Sequence, residues 1–277
     1  MRAAVVQMRS GLDPAANAAD AEAMIRQAAG EGAVLVATPE MTTLVDRKPR
    51  RMFGTLPDGE PPEAERFEVL ARELGIHLLI GSMAVALDRS PGTRKAANRS
   101  VLFGPAGRIA AYDKVHLFDV DLDTGESWKE SAVYRAGTEA VVARSGEAVL
   151  GLSICYDLRF PALYRRLAQA GANVLTVPAA FTVPTGRAHW EVLLRARAIE
   201  TGSWVLAPAQ GGAHEDGRVT YGHSMVVDPW GAVATRLDHD EPGVLMADLD
   251  LARVADVRRR VPALSLETTP TLRTFGA

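Results

Sequence analysis

Short apolar runs alternate with amphipathic segments along most of the chain. The runs "AAVVQM", "AVLVATPE" and "ANVLTVPAAF" have the length of buried strands, and polar or turn residues follow them. Between such runs, "NAADAEAMIRQAAGEG" and "PPEAERFEVLARELGI" have the composition of helices. The first ends on Gly and the second has Pro in its first turn, as helices often do. This alternation predicts strands connected by helices, an α/β protein.

Two hairpins interrupt the alternation. "RSVLFGPAGRIAAYDKVHLF" predicts two strands around a Pro-Ala-Gly turn, and "AVVARSGEAVLGLSI" predicts two around Ser-Gly-Glu. Because hairpins pair antiparallel and β-α units pair parallel, we expect mixed sheets with helices packed outside them. No linker, repeat or low-complexity segment divides the 277 residues. We therefore expect one domain over residues 1–277.

Two further helices and two loops complete the predicted outline. A helix begins near Pro161 and stops at Gly171, and another covers "AHWEVLLRARAIE", where His189 is interpreted as a packing residue. The apolar face of this second helix is predicted from four residues: Val192, Leu193, Ala196 and Ile199. The stretch "DRKPRRMFGTLPDGEPP" and the acidic segment 119–126 are predicted to be exposed loops over a site.

Charge and composition exclude several classes of protein. A formal net charge of −3 gives no electrostatic footprint for nucleic acid or for anionic lipid. A single cysteine excludes an intramolecular disulfide, so nothing indicates an oxidising compartment. The apolar run near the amino terminus is too short for a signal peptide, and no apolar stretch reaches the ~18 residues of a membrane span. We expect a cytoplasmic protein with no nucleic-acid or membrane partner.

Three polar residues follow apolar strands directly. They are Glu40 in "VLVATPE", Lys114 in "IAAYDK" and Cys155 in "LGLSIC". Strand ends are where ligands and catalytic groups collect in sheets covered by helices. A carboxylate can take the proton of a thiol, and an ammonium can stabilise the developing oxyanion, so these residue types suit attack on a carbonyl or nitrile carbon.

Each of the three residues also has a structural interpretation. Cys155 could be a small buried hydrophobic residue, Glu40 could cap the next segment, and Lys114 could be a solvated charge. Lys114 is one of only four lysines among 31 basic residues, which weakens the case for a chance surface lysine there. Periodicity alone does not show that the three side chains meet.

Metal sites receive little support from the spacing of acidic and histidine residues. Asp119, Asp121, Asp123 and Glu130 fit positions of a calcium-binding loop, but the glycine that such a loop requires is replaced by Thr124. The six histidines and one cysteine show no zinc spacing. We therefore expect no metal.

The motifs around these residues resemble the nitrilase superfamily of carbon–nitrogen hydrolases. The resemblance covers almost the whole chain and follows one order of segments: "ATPEM", "YDKVHLFDVD", "KESAVYRAG", "GLSICYDLRFPALYRRLAQAGANVL", "PAAFTVPTGRAHWEVLLRARAIE" and "YGHSMVVDPWG". It implies a four-layer α-β-β-α sandwich whose protomers pair through outer helices into a homodimer. It also implies an enzyme that needs no metal or cofactor.

The resemblance further implies roles for individual residues. Cys155 would be the nucleophile and Glu40 the general base, while Lys114 and the backbone N–H of Tyr156 would hold the oxyanion. Glu130 matches the auxiliary glutamate of the family, which positions the substrate and helps proton transfer near Lys114. Two carboxylates should keep the lysine charged and burial should oppose them, a balance that the sequence leaves open.

Within the superfamily, the segments after Cys155 are most similar to deaminated glutathione amidases. Omega-amidases, which hydrolyse α-ketoglutaramate, share much of the pattern and are the alternative, as are nitrilases and N-carbamoyl-amino-acid hydrolases. A catalytically silent scaffold would be favoured only if a triad residue were missing. The expected partner is a small amide that carries an α-keto acid, and its leaving group would be cysteinylglycine or ammonia.

Candidate substrate-binding residues follow from the charge of such an amide. Arg159 and Arg187 could bind carboxylates, although Arg159 could instead pair with Asp157 and Arg187 could be a solvated loop charge. Phe181 and Thr182 either line the pocket or belong to the core.

Overall fold

The computed structural model describes residues 1–88, 94–121, 127–266 and 268–275. Six α-helices lie in these ranges: α1 (Pro14–Gly30), α2 (Pro49–Thr55), α3 (Pro62–Leu74), α4 (Pro161–Gln169), α5 (Val183–Thr201) and α6 (Ala252–Arg260). Two short 3-10 helices cover Glu130–Ala132 and Cys155–Arg159.

Sixteen strands lie in the same ranges. The first eight are β1 (Arg2–Gln7), β2 (Leu35–Ala37), β3 (His77–Asp88), β4 (Lys95–Gly104), β5 (Gly107–Asp113), β6 (Asp119–Asp121), β7 (Ser127–Lys129) and β8 (Val142–Ser145). The others are β9 (Ala148–Leu152), β10 (Val174–Thr176), β11 (Trp204–Ala207), β12 (Gly211–Ala213), β13 (Val219–Tyr221), β14 (Met225–Val227), β15 (Val233–Arg236) and β16 (Gly243–Asp248).

Two six-stranded mixed sheets form the centre of the fold. Their strand orders are β16-β1-β2-β3-β4-β5 and β15-β14-β11-β10-β9-β8. In each sheet the three middle β-α-connected strands are parallel (β1-β2-β3 and β9-β10-β11), and antiparallel strands flank them. Both predicted hairpins are present, as β4-β5 and β8-β9. The short pairs β6-β7 and β12-β13 lie outside the two sheets.

Helices cover the outer face of each sheet, which gives the expected α-β-β-α sandwich. Alternate residues of β1 face opposite sides of the first sheet. Ala3 and Val5 belong to the core that includes the second sheet, whereas Ala4 and Val6 pack under α1 and α3. This two-residue period is what a strand buried on both faces requires. Helices α4 and α5 contact the second sheet on its other side.

The segment predicted as an exposed loop before the second long helix is partly helical. Its residues Pro49–Thr55 form α2, and Met52 is buried in a small core beneath it with Leu44 and Tyr134. Pro at the first helical position starts this turn, and burial of Met52 holds it. The prediction of a loop was therefore wrong over α2.

The apolar face predicted for α5 was also partly wrong. Val192 and Ile199 are 67% and 54% exposed, while Trp190 and Leu194 are buried against the second sheet. Arg197 shares the buried face because its Nε donates to the carbonyl of Leu158 at 3.0 Å. The helix therefore buries Arg197 and exposes Val192 and Ile199, which is not the orientation that its apolar residues predicted.

Among the described residues, no helix combines the length and the apolar character needed to cross a membrane.

Candidate active site

The three strand-end residues converge as the sequence analysis expected. Glu40 follows β2 by three residues, Lys114 comes directly after β5, and Cys155 opens the 3-10 helix after β9. All three side chains are buried, with residue exposures of 3%, 2% and 8%. The segments that follow β2 and β5 in one sheet and β9 in the other place these side chains around one pocket.

Lys114 forms the centre of the cluster. Its Nζ donates to Glu40 Oε1 at 2.8 Å and to both carboxylate oxygens of Glu130, at 3.0 and 2.9 Å. Burial alone would lower the pKa of the ammonium, but the charges of Glu130 and Glu40 outweigh it and raise the pKa well above its usual value. The balance that the sequence left open therefore favours a charged lysine.

Cys155 has an unusual backbone and a neutral thiol. Its φ is +50°, a left-handed conformation that is costly for a residue with a side chain. The N–H of Cys155 donates to the carbonyl of Pro178 at 2.8 Å and helps to hold this turn. Burial and the Glu40 carboxylate raise the pKa of the thiol, and Lys114 only partly opposes them. The resting thiol therefore keeps its proton beside a carboxylate.

Asn98 connects the two glutamates, and the sequence analysis missed it. Its Nδ2 donates to Glu40 Oε1 at 2.9 Å and to Glu130 Oε1 at 3.1 Å. Its main-chain carbonyl also accepts the N–H of Lys114 at 2.9 Å. Asparagine is depleted in buried strands, and Asn98 lies in β4 with 1% exposure, so this misfit was the available signal.

Asp157 ties the turn of Cys155 to the region of Lys114. It is fully buried and accepts the N–H groups of Ile154 and His116, at 2.8 and 3.0 Å, and the hydroxyl of Tyr112 at 2.7 Å. The suggested pairing of Asp157 with Arg159 is absent from this network of described residues. Through Asp157, these bonds connect Ile154, the residue before Cys155, to residues on both sides of Lys114 in the chain.

Tyr156 lies in the first turn of the 3-10 helix, directly after Cys155. N–H groups in a first helical turn have no acceptor within the helix. Among the described residues, no acceptor contacts the N–H of Tyr156. This donor is therefore free for a ligand beside the sulfur.

A pocket of about 570 Å³ opens onto the cluster. Arg159, Phe181 and Thr182 line it, as predicted for substrate-binding residues. The Arg159 guanidinium lies over the rings of Tyr156 and Phe181, with its carbon 5.8 and 5.6 Å from their centres. Within the described ranges Arg159 has no carboxylate partner, so its charge faces the pocket uncompensated.

Arg187 does not reach this pocket. It is exposed on α5 and lines a separate cavity of about 90 Å³. His189 is exposed as well and meets the guanidinium of Arg159 at 3.2 Å through Nδ1, so its interpretation as a packing residue was wrong.

The acidic residues of the calcium-like motif have other partners. Glu130 faces Lys114, Asp119 accepts the N–H of Ser131 at 2.9 Å, and Asp121 accepts the hydroxyl of Ser127 at 2.5 Å. Asp123 and Thr124 lie outside the described residues. In the described part of the chain, no group of three or more potential metal ligands is found.

Comparisons with known proteins relate this sequence to a family of hydrolases. The profile of a family described as "Carbon-nitrogen hydrolase" matches residues 2–259. Proteins named deaminated glutathione amidase are 39% identical in Synechocystis sp. (95% of this chain, 96% of the relative) and 42% identical in Homo sapiens (94% and 80%).

Two solved structures share the fold. The C. elegans NitFhit protein has a TM-score of 0.84 and 35% identity over 96% of this chain, which spans 64% of that protein. A mutant of the amidase from Nesterenkonia sp. AN1 has a TM-score of 0.76 and 27% identity over 96% of this chain and 100% of that one. That structure shows the result of Michael addition of acrylamide at the active-site cysteine of the Nesterenkonia amidase.

Proposed function

We propose that this chain, which belongs to the carbon–nitrogen hydrolase family, is an amidase that hydrolyses deaminated glutathione to α-ketoglutarate and cysteinylglycine. The observation that carries the proposal is the buried cluster of Glu40, Lys114 and Cys155 in the wall of the large pocket. The choice of substrate is supported by the names of relatives at 39% and 42% identity.

The first half of the reaction forms a thioester. The Cys155 sulfur attacks the amide carbonyl carbon while its proton passes to Glu40. The electron pair moves to the carbonyl oxygen, where Lys114 and the N–H of Tyr156 donate to the oxyanion. The hydrogen bonds that the Glu40 carboxylate accepts from Asn98 and Lys114 both end on Oε1, which leaves Oε2 to accept the thiol proton.

The second half restores the thiol. As the oxyanion collapses, the carbon–nitrogen bond breaks and Glu40 gives its proton to the departing amine, which leaves as cysteinylglycine. Glu40 then takes a proton from water, the resulting hydroxide attacks the thioester carbon, and the Cys155 sulfur leaves with that proton. Glu130 keeps the ammonium of Lys114 in place and charged through both steps.

The α-keto acid end of the substrate is assigned to Arg159. Its guanidinium lies over two aromatic rings and has no acidic partner among the described residues. Nη1 and Nη2 already contact His189 Nδ1, at 3.2 and 3.3 Å, so a carboxylate would bind the N–H groups that remain. Phe181 and Thr182, which line the same wall, would contact the carbon chain.

Turnover by the purified protein tests this proposal. Wild type and Cys155→Ala are given deaminated glutathione and α-ketoglutaramate, and cysteinylglycine and ammonia are measured. We expect wild type to prefer deaminated glutathione at least about tenfold in kcat/KM, or ~1.4 kcal/mol of transition-state discrimination, and the variant to be inactive. A fully active Cys155→Ala would contradict the mechanism.

The alternatives correspond to other outcomes of the same assay. A preference for α-ketoglutaramate would make the protein an omega-amidase with the same catalytic residues. Release of carbon dioxide with ammonia from N-carbamoyl amino acids would indicate a carbamoyl hydrolase. Inactivity toward all of these amides, with the three residues in place, would direct the search for the substrate to other small amides.

We also propose that the protein is a cytoplasmic homodimer that pairs through its outer helices. Support comes from the apolar side chains that α5 presents outward, Val192 and Ile199, beside the exposed Trp230. Ile199 lies directly over Gly231, the residue next to Trp230, so these side chains form one surface.

A further inference from the structure

The large pocket contains a second buried cation that the proposed mechanism does not use. Arg218 lines the pocket together with Arg159, and three aromatic rings lie between them. Arg218 lies over the ring of Trp128. The centre of the Phe118 ring lies 6.3 Å from that of Trp128 and 5.1 Å from that of Tyr156, so the three rings form a row. Arg159 lies over Tyr156, at the other end of this row.

Arg218 is fixed in place but has unused hydrogen-bond donors. Its side chain is nine-tenths buried, and its Nη2 pairs with Asp216 Oδ2 at 3.2 Å. Nη1 has only the sulfur of Met41, at 3.7 Å, and Nε has no partner among the described residues. A sulfur is a weak acceptor, so most of this guanidinium is unsatisfied by the protein itself.

Trp128 also has a buried donor without an acceptor among the described residues. Its indole Nε1 is also buried without an acceptor in the described part of the chain, and the Arg218 guanidinium carbon lies 4.9 Å from the ring centre. A buried donor without an acceptor destabilises the protein, so two of them in one wall of a pocket indicate that a ligand supplies an acceptor there. A ligand reaches this wall through the exposed tenth of the Arg218 side chain.

The charges around Arg218 favour an anion. The two acids at this end of the pocket are already paired: Asp216 with Arg218, and Asp46 with Arg51, whose Nε lies 2.6 Å from Oδ2. Arg47 and Lys129 also line the pocket, and both are exposed. An entering carboxylate therefore meets an excess of positive charge, which makes it the preferred class of ligand.

We propose that Arg218 and Trp128 form a subsite for the carboxylate of the leaving group, the carboxyl-terminal glycine of a dipeptide. This inference rests on the proposed amidase function. Deaminated glutathione carries one carboxylate on each side of its scissile amide, and the pocket carries one cation at each end of its aromatic row. α-Ketoglutaramate has only the keto-acid carboxylate, so binding at Arg218 selects the longer substrate.

Specificity of turnover tests the subsite. The variants are Arg218→Gln, Arg218→Lys and Trp128→Phe, and the matched control is Arg66→Gln, which breaks an exposed ion pair with Glu22 on the outer helices. The substrates are deaminated glutathione, its glycine carboxamide analogue and α-ketoglutaramate. Asp216 still accepts the main-chain N–H groups of Arg47 and Arg218, both at 2.9 Å, so Arg218→Gln should fold; its melting temperature checks this.

We expect Arg218→Gln to lower the ratio of kcat/KM for deaminated glutathione over α-ketoglutaramate about tenfold or more, with smaller losses in Arg218→Lys and Trp128→Phe. The carboxamide analogue should have a lower kcat/KM than deaminated glutathione with wild type, whereas the two should have similar kcat/KM with Arg218→Gln. Arg66→Gln should leave the ratio unchanged. An equal loss on both substrates, or an undiminished carboxamide penalty in Arg218→Gln, would overturn the subsite.

A binding measurement separates this inference from the proposed function. Calorimetry follows cysteinylglycine binding to Cys155→Ala, which has no cysteine left to react, with and without Arg218→Gln. Binding that Arg218→Gln weakens about tenfold supports the subsite, even if wild type turns over neither amide and the proposed function fails. Equal binding to both proteins, or none to either, overturns the subsite even if the amidase activity is found.

Discussion

Cys155 is held as a neutral thiol by its surroundings. Burial raises its pKa above the usual 9.0, the Glu40 carboxylate raises it further, and Lys114 lowers it. We predict that Glu40→Gln shifts the thiol titration to lower pH because it removes the nearby anion, whereas Lys114→Met shifts it to higher pH. The single cysteine allows a direct measurement, since ¹³Cβ-labelled cysteine gives one NMR signal to follow against pH.

The control for this titration is a glutamate far from the thiol. Glu65→Gln, on the exposed face of α3, should leave the titration midpoint of Cys155 unchanged. A midpoint that stays in place or rises in Glu40→Gln would show that the carboxylate does not act on the thiol, and the assignment of Glu40 as its base would lose its physical basis.

At the scale of single residues, strand ends could be predicted and side-chain partners could not. Glu40, Lys114 and Cys155 stand out because each breaks an apolar run at a sheet edge. Asn98 and Arg218 do not follow apolar runs in this way. Glu40 Oε1, which Asn98 faces, and the Met41 sulfur, which Arg218 faces, belong to segments far away in the chain. A hydrogen bond between residues 58 positions apart is a product of the fold, and no local pattern encodes it.

At the scale of elements, the close contact of β3 with the segment before Glu40 depends on Gly81. A Cβ at this position would lie 2.1 Å from the carbonyl oxygen of Thr38 and 2.5 Å from that of Pro39. We predict that Gly81→Ala destabilises the protein by about 1–3 kcal/mol and lowers kcat, because the displaced backbone leads directly to Glu40, the proposed general base. Urea unfolding and turnover by the same preparation measure both effects.

Gly54 provides the matched glycine. It lies in α2, is exposed, and has open space where a Cβ would be placed. Gly54→Ala should be neutral or stabilise the protein by up to ~1 kcal/mol, since alanine has the higher helix propensity. If Gly81→Ala matches Gly54→Ala in stability and kcat, the contact with Thr38 and Pro39 does not position Glu40.

Element types were easier to predict than element faces. The strands around both hairpins and the helices α1, α3 and α4 follow from apolar periodicity and from Gly and Pro. The orientation of α5 did not, because burial of Arg197 against the carbonyl of Leu158 is a tertiary contact. The turn of α2 was missed for a similar reason, since only burial of Met52 distinguishes it from a loop.

At the scale of the whole molecule, the mixture of hairpins and β-α units limited the fold to mixed sheets covered by helices. The number of layers and the pairing of the sheets came from the family resemblance, because apolar runs do not say which strand lies beside which. In the structure β16, near the end of the chain, pairs with β1 at its beginning. This pairing joins strands from nearly opposite ends of the sequence, and no local pattern in the sequence predicts it.

The outward face of α5 gives the prediction at this scale. Val192 and Ile199 are 67% and 54% exposed, and burial of these apolar side chains against a second copy would stabilise the proposed dimer. Light scattering after size exclusion should therefore give twice the protomer mass of 29.6 kDa. Val192→Asp should give the protomer mass, because pairing would bury an uncompensated carboxylate. Val69 is also an exposed valine, 50% exposed on α3, and Val69→Asp should leave the dimer intact. If Val69→Asp dissociates the protein and Val192→Asp does not, the protomers pair through the opposite layer of helices.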